Sequence, residues 1–457
     1  MKLLISNKLA LTEPPLQIKS HFINALTFAN PLYEEAVKHG RYTGRIRPTI
    51  DMYTDTPYGL IVPRGVLQTI EDNLLNKGFI EEVSDERILL EPMDIDSKII
   101  LRDYQQVAKH DILRHPNGVL VAPAGSGKTI MGIDLIATLR QKAIWITHTK
   151  RLLDQAIDRI TATTDIPRKE IGIIGKSKWS VGERITVALV QTLVRNQDKL
   201  LELGREFGLV IVDECHHIPS TTFTTVLGYF YAYYIIGATA TPYRRDHLEN
   251  LMFAAIGNAN AKIHRSIVQN AGGTMVPSVI VRNVPSPMVD HNDYHSIIED
   301  YVLPNKIRSS MIAADVIREA KLGNYCIVIC TRKSYCELLY DLIYPEWKKT
   351  GVANGDKSDK HNKEQISMLE NDLLSVLITT FEMLGEGFDV PKLNRGFIAL
   401  PFRERVRVEQ AVGRIQRTCE GKYDSVLYDY VDTNIGILNA QFRTRTFVYR
   451  LLGMEVQ

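Results

Sequence analysis

The stretch Ala122-Pro-Ala-Gly-Ser-Gly-Lys-Thr129 limits the possible folds of this chain more than any other. The apolar run Gly118-Val-Leu-Val-Ala122 precedes it and reads as a short buried strand. Ile130–Leu139 follows with apolar residues at helical spacing. Strand, glycine-rich turn, Lys-Thr and helix together form the setting of a phosphate-binding loop. Pro123, Ala124, Gly125, Ser126 and Gly127 form the turn. Gly125 and Gly127 let backbone N–H groups close on phosphate oxygens, and the helix N-terminus adds partial positive charge. Lys128 supplies a point charge for the outer phosphates, and the Thr129 hydroxyl suits Mg²⁺. Ala122 stands where such loops usually carry their first glycine.

With 457 residues the chain exceeds one ordinary core, so two or three domains are expected. Apolar residues make up 45% and charged residues 24%, a globular profile, and the net charge of +2 leaves a local basic groove open. The cysteines at 215, 326, 330, 336 and 419 form no Cys-x-x-Cys pair, which fits reduced thiols and a cytoplasmic setting. No apolar run approaches the roughly 20 residues of a membrane span.

Residues 1–95 carry no nucleotide motif and read as a small α+β accessory domain for DNA binding, with an amphipathic helix over 66–77. Within it, Lys38–Pro48 places Arg41, Arg45 and Arg47 among glycines and Tyr42. This stretch suits a clamp on a phosphate backbone with one ring available for stacking, and equally suits a solvated loop. Gln105, at the start of a helix, has the amide geometry to pair with adenine, and Arg102 can lie against the base; both also read as ordinary surface residues.

From 96 to 272 strands alternate with helices. The strands are wholly apolar, which implies a parallel sheet covered on both faces with function at the strands' carboxyl ends. One strand delivers Asp213-Glu214. There Asp213 suits Mg²⁺ and Glu214 suits the polarising of an attacking water. A second α/β unit without a phosphate loop follows over 273–457, ending in a short tail. Its Gln410–Arg417 stretch reads as helical, which would put Arg414 and Arg417 on one face; a solvated basic helix is the alternative.

In order, Leu101–Gln105, Ala122–Thr129, Thr147–Lys150, Asp213–His217, Gly237–Pro242, Thr379–Pro391 and Gln410–Arg417 resemble the motifs of superfamily 2 helicases. The likeness is strongest to the XPB and phage UvsW branch, and within it to UvsW-type branch-migration helicases. XPB-type proteins carry Arg-Glu-Asp where this chain has Arg244-Arg245-Asp246. The resemblance implies two tandem RecA-like domains, ATP and Mg²⁺ as cofactors, and 3′→5′ movement on branched DNA by a monomer, in the host cytoplasm if a phage encodes it. It also implies residue roles. Arg102 and Gln105 would bind adenine, while Gly387 and Asp389 would approach the nucleotide from the second domain. Gln410, Arg414 and Arg417 would close on the γ-phosphate. Thr149, Gln191, Thr192, Thr331 and Thr380 would contact the DNA backbone. His216 and Thr239-Ala-Thr241 would couple hydrolysis to strand movement. An ATPase subunit of a larger repair or restriction assembly, and an RNA helicase, are the alternatives.

Overall fold

The computed structural model describes residues 1–457 except 45, 218–219, 241–248, 385–387 and 389, and except the side chains of 217, 220, 221, 223 and 406. The chain divides into two compact units, Met1–Arg265 and Ser266–Gln457.

The first unit is built on an eight-stranded sheet. Its strand order is Lys178–Ser180, Gly172–Gly175, Ile185–Leu189, Ala143–Thr147, Leu209–Asp213, Tyr234–Thr239, Asn117–Val121, Ala261–Lys262. All neighbours run parallel except the outermost pair, Gly172–Gly175 with Lys178–Ser180. The central strands contain almost no polar residue because helices cover both faces. Parallel registry brings Val121, Thr239, Asp213, Thr147 and Leu189 to one edge of this sheet.

The N-terminal residues form a five-stranded sheet of order Thr54–Thr56, Gly59–Val62, Leu9–Thr12, Lys2–Ile5, Glu82–Asp85. Its buried side chains, among them Leu3, Leu11 and Leu60, join Val119 and Val210 of the large sheet in one apolar core. Residues 1–95 therefore share a core with the eight-stranded sheet. The segment expected as one amphipathic helix is a 3₁₀ turn (Arg64–Val66), an α turn (Leu67–Ile70) and a π turn (Glu71–Leu75). Leu67, Ile70 and Leu74 form its buried face. At Gly65 a Cβ would stand 2.4 Å from the carbonyls of Phe253 and Ala254, so only glycine permits this approach to the helix Glu249–Ile256.

The second unit is a six-stranded, all-parallel sheet of order Ser278–Asn283, Val426–Val431, Arg395–Ile398, Cys326–Cys330, Val376–Thr380, Thr350–Ala353. Cys326, Val328 and Cys330 enter the core on one face, and Ile327 and Ile329 the core on the other. Both faces being buried explains the unbroken apolar run. The region after Arg417, expected to end in a short tail, supplies the strand Val426–Val431 and the helix Gly436–Leu451. Buried Arg445 on that helix forks onto Asp429 of the strand at 2.8 and 2.9 Å, and Tyr449 donates to the same carboxylate at 2.8 Å. The two-unit α/β class expected from the sequence is the one observed.

Candidate functional site

The strand Asn117–Val121 leads into Ala122, and the helix Lys128–Leu139 begins after a turn in which Gly125 (φ 80°) and Gly127 (φ 84°) adopt left-handed conformations. Side chains other than glycine pay about 1–2 kcal/mol for that region. The helix lies close on the sheet: a Cβ at Gly132 would stand 2.7 Å from the fully buried Trp145 ring.

The loop is braced from the preceding helix, Asp103–Ile112. Gln105 Nε2 donates to Ser126 O at 2.8 Å and Tyr104 OH to the same oxygen at 3.2 Å. Gln105 Oε1 accepts from Arg102 N at 2.9 Å and caps its own helix. Lys109 and Asp134, 2.8 Å apart, tie the two helices together. The Gln105 amide thus holds the phosphate loop, a role its sequence position did not reveal, and keeps one donor and one lone pair for a base. Ser126 Oγ is wholly buried and finds no hydrogen-bond partner among the described residues.

Lys128, nearly buried, donates to Ala122 O at 3.2 Å and lies 3.4 Å from Glu214 Oε1. Glu214 has φ 46°, an unusual value for a residue with a Cβ. Strain of this kind persists where surrounding contacts impose it. Here it turns the chain sharply after the strand, and the carboxylate faces both Lys128 and His216, whose Nδ1 is 3.5 Å from Oε2. His216 Nδ1 and Thr239 Oγ1 are 2.7 Å apart, and Ala122 N donates to Thr239 O at 2.9 Å. Ala122, Lys128, Glu214, His216 and Thr239 therefore form a closed ring of contacts at the sheet edge. Asp213 is buried and accepts from the Glu214 N–H at 3.1 Å. Cys215 lies beneath, its thiol pushed well up by burial and by Glu214 and Asp213.

No cluster of three or more His, Cys, Asp or Glu side chains suited to a metal occurs among the described residues. An oriented carboxylate on Asp213 and the Thr129 hydroxyl fit Mg²⁺, which takes one or two protein ligands and completes its shell with phosphate and water.

Thr149 caps the helix Lys150–Thr163 through Leu152 N at 3.2 Å, and Gln191 donates to His148 O at 2.9 Å, so these two lie side by side with Thr192 at one end of the sheet. In the second unit Thr331 follows the strand paired through Cys330 with Thr380. Thr380 is buried rather than surface-facing. Arg41, Tyr42 and Arg47 are exposed on the loop between the helix Pro31–Lys38 and the strand Thr49–Asp51, where Asn30 holds Arg47 O at 2.8 Å. Arg45, Thr241, the Arg244-Arg245-Asp246 element, Gly387 and Asp389 lie outside the described residues.

Gln410 and Arg414 are on the helix Arg405–Ile415, and Arg414 Nη1 donates to Phe388 O at 2.6 Å. The helix stops at Ile415. Arg417 stands beyond it in an antiparallel bridge with Thr274, so the two arginines do not share a helical face. The stop has a physical cause: Lys422 Nζ and Ser425 Oγ take Ile415 O at 2.6 and 2.7 Å, and Met275 N takes Gln416 O at 2.6 Å.

Residues 98–244 match the family described as "Type III restriction enzyme, res subunit", and residues 309–419 the "Helicase conserved C-terminal domain". The chain is similar to a putative ATP-dependent RNA helicase of Acanthamoeba polyphaga mimivirus, 24% identical over 78% of this chain and 69% of the relative. It is as similar to a DNA 3′-5′ translocase, XPB2, of Sulfurisphaera tokodaii, 24% identical over 71% and 80%. Among solved structures, S. cerevisiae Dbp5 bound to RNA and ADP BeF3 aligns at TM-score 0.56 with 13% identity, covering 79% of this chain and 90% of that one, a likeness of fold. Phage T4 UvsW aligns over 100% of this chain and 99% of that one at 16% identity, with a TM-score of only 0.43. Among the described residues no helix is long and apolar enough to cross a membrane.

Proposed function

We propose that this chain, which belongs to the superfamily 2 helicases, is an ATP-driven motor that moves 3′→5′ on DNA and remodels branched molecules: Holliday junctions, regressed forks and R-loops. The observation that carries the motor reading is the closed ring from Lys128 through Glu214 and His216 to Thr239. It joins the residue placed to meet the outer phosphates to the end of the neighbouring strand Tyr234–Thr239.

In this reading Gly125, Gly127, Lys128 and the helix N-terminus bind the phosphates. Thr129 and Asp213 would hold Mg²⁺, which would supply positive charge to the phosphate oxygens. Glu214, whose carboxylate faces Lys128 and His216, orients and polarises the attacking water. Gln105 and Arg102 hold the base. Gln410, Arg414 and Arg417 stabilise the γ-phosphate as charge develops. Thr149, Gln191, Thr192, Thr331 and Thr380 follow the DNA backbone, with Thr380 reached only after local rearrangement. The exposed Arg41 and Arg47, together with Arg45, grip phosphates, and the exposed Tyr42 stacks on unpaired bases, which are concentrated at junctions. The direction and the DNA preference draw support from the name of the Sulfurisphaera relative.

The RNA reading draws on the name of the mimivirus relative. Proteins tell the two nucleic acids apart through the 2′-OH. The test is ATPase stimulation by single-stranded DNA, duplex, a four-way junction and RNA, side by side. Strongest stimulation by the junction is expected, and RNA exceeding every DNA would overturn the DNA assignment. Replacing Arg41, Arg45 and Arg47 by Ala is expected to weaken junction binding and flatten its salt dependence while basal ATPase remains. Unchanged junction unwinding in a stably folded variant would refute the clamp.

A further inference from the structure

Lys422 lies outside every motif singled out in the sequence, in the turn after Gly421, whose φ of 79° directs the chain back toward the preceding helix. Its ammonium donates to four main-chain oxygens: Ile415 O at 2.6 Å, Leu393 O at 2.6 Å, Arg417 O at 2.7 Å and Pro391 O at 3.2 Å. An ammonium has three N–H groups, so at least one is shared between two carbonyls. Charge-assisted bonds of this kind are roughly twice as strong as neutral ones. Ile415 O closes the helix Arg405–Ile415, where the helix dipole is negative and its last carbonyls lack partners within the helix. Pro391 and Leu393 belong to the chain leaving the Thr379–Pro391 stretch.

One cation thus joins the ends of two separate motif segments. It also holds Arg417 from one side of the main chain, while the bridge to Thr274 holds it from the other. Ser425 Oγ adds a bond to Ile415 O but reaches no other member of the cage. A helix stop alone would need only the Ile415 contact. The bonds to Arg417, Leu393 and Pro391 instead fix where the arginine stands relative to the neighbouring segment.

We infer that Lys422 is a positioning residue for ATP hydrolysis, setting the place of Arg417 by gathering the main-chain oxygens of both segments. This rests on the proposal that Arg417 acts on the γ-phosphate. Such an arginine acts in the transition state, and a misplacement of about 1 Å can cost on the order of 10²-fold in rate.

The experiment is a double-mutant cycle in the full chain with Lys422→Met, Arg417→Ala and both together. It reads kcat and KM of DNA-stimulated ATPase, affinity for a fluorescent ATP analogue, and melting temperature. Lys422→Met is expected to lower kcat by about 10²-fold with nucleotide affinity kept. The double variant is expected to be no slower than Arg417→Ala, because the lysine works through the arginine. Losses that multiply in the double variant, or a wild-type kcat in Lys422→Met, would overturn the inference. Wild-type turnover in Arg417→Ala would overturn the arginine reading itself and the route through it. If Lys422→Met does not fold, Lys422→Gln, which keeps two N–H donors, replaces it in the same cycle. Its kcat should then fall between those of wild type and Arg417→Ala, and any other order refutes the positioning role.

Discussion

Replacing Gly127 by alanine disturbs the phosphate loop in two separable ways. Its φ of 84° costs a residue with a Cβ about 1–2 kcal/mol. The added Cβ would also stand 2.4 Å from Gln105 Nε2, inside any real contact. The Gln105 amide must then leave Ser126 O, a loss of about 1 kcal/mol, limited because Tyr104 OH still reaches that carbonyl. Together these make about 2–3 kcal/mol. For a unit of this size a kilocalorie shifts the midpoint by about 2–4 °C, so the first unit should melt about 4–12 °C lower. Calorimetry without nucleotide is the assay, since it separates stability from ligand binding. In the double variant Gly127→Ala with Gln105→Ala the clash is gone and the backbone strain stays. That variant should therefore be more stable than the two single losses added together. A Gly127→Ala protein melting within roughly a degree of wild type would refute the reasoning, because even the lower bound exceeds that shift.

Lys128→Ala should abolish ATP hydrolysis while nucleotide-free DNA binding survives; near-wild-type turnover would sink the ATPase reading. Arg445→Met should destabilise the second unit by about 3–5 kcal/mol, because it strands the Asp429 charge in the core. A denaturant midpoint equal to wild type would contradict the structural role given to that pair. Against burial, which raises it, hydrogen bonds from Tyr428 at 2.5 Å and Arg395 at 2.7 Å hold the Glu319 carboxyl below its ordinary range. A depressed carboxyl pKa contributes stability that is complete above the unfolded value of about 4.3 and fades as pH falls through the folded one. Glu319→Gln should therefore be less stable at pH 7 and show a shallower loss in acid, which stability curves from pH 7 to 3 would check.

The sequence by itself determined the two-unit α/β architecture and the local geometry of the candidate nucleotide site. Wholly apolar strands such as Cys326–Cys330 can only be buried on both faces, and their alternation with helices leaves a parallel sheet as the arrangement. Gly125, Gly127, Lys128 and Thr129 are adjacent in the chain, so their joint geometry follows from local conformation. Asp213-Glu214 was legible for the same reason: a strand of fixed direction delivers it to the phosphate-loop edge.

Tertiary structure decided what depends on contacts between distant residues. The role of Gln105 as a brace on Ser126 requires a helix to pack beside the loop. The ring through His216 and Thr239 requires two neighbouring strands in register. The helix Gly436–Leu451 was hidden because its buried positions include Gln441 and Arg445, which break the apolar pattern; Arg445 makes sense only opposite Asp429. Arg414 and Arg417 are three apart, and spacing alone puts them on one helical face. The carbonyl cage around Lys422 ends the helix between them, and no local pattern announces a lysine whose partners lie up to thirty-one residues away.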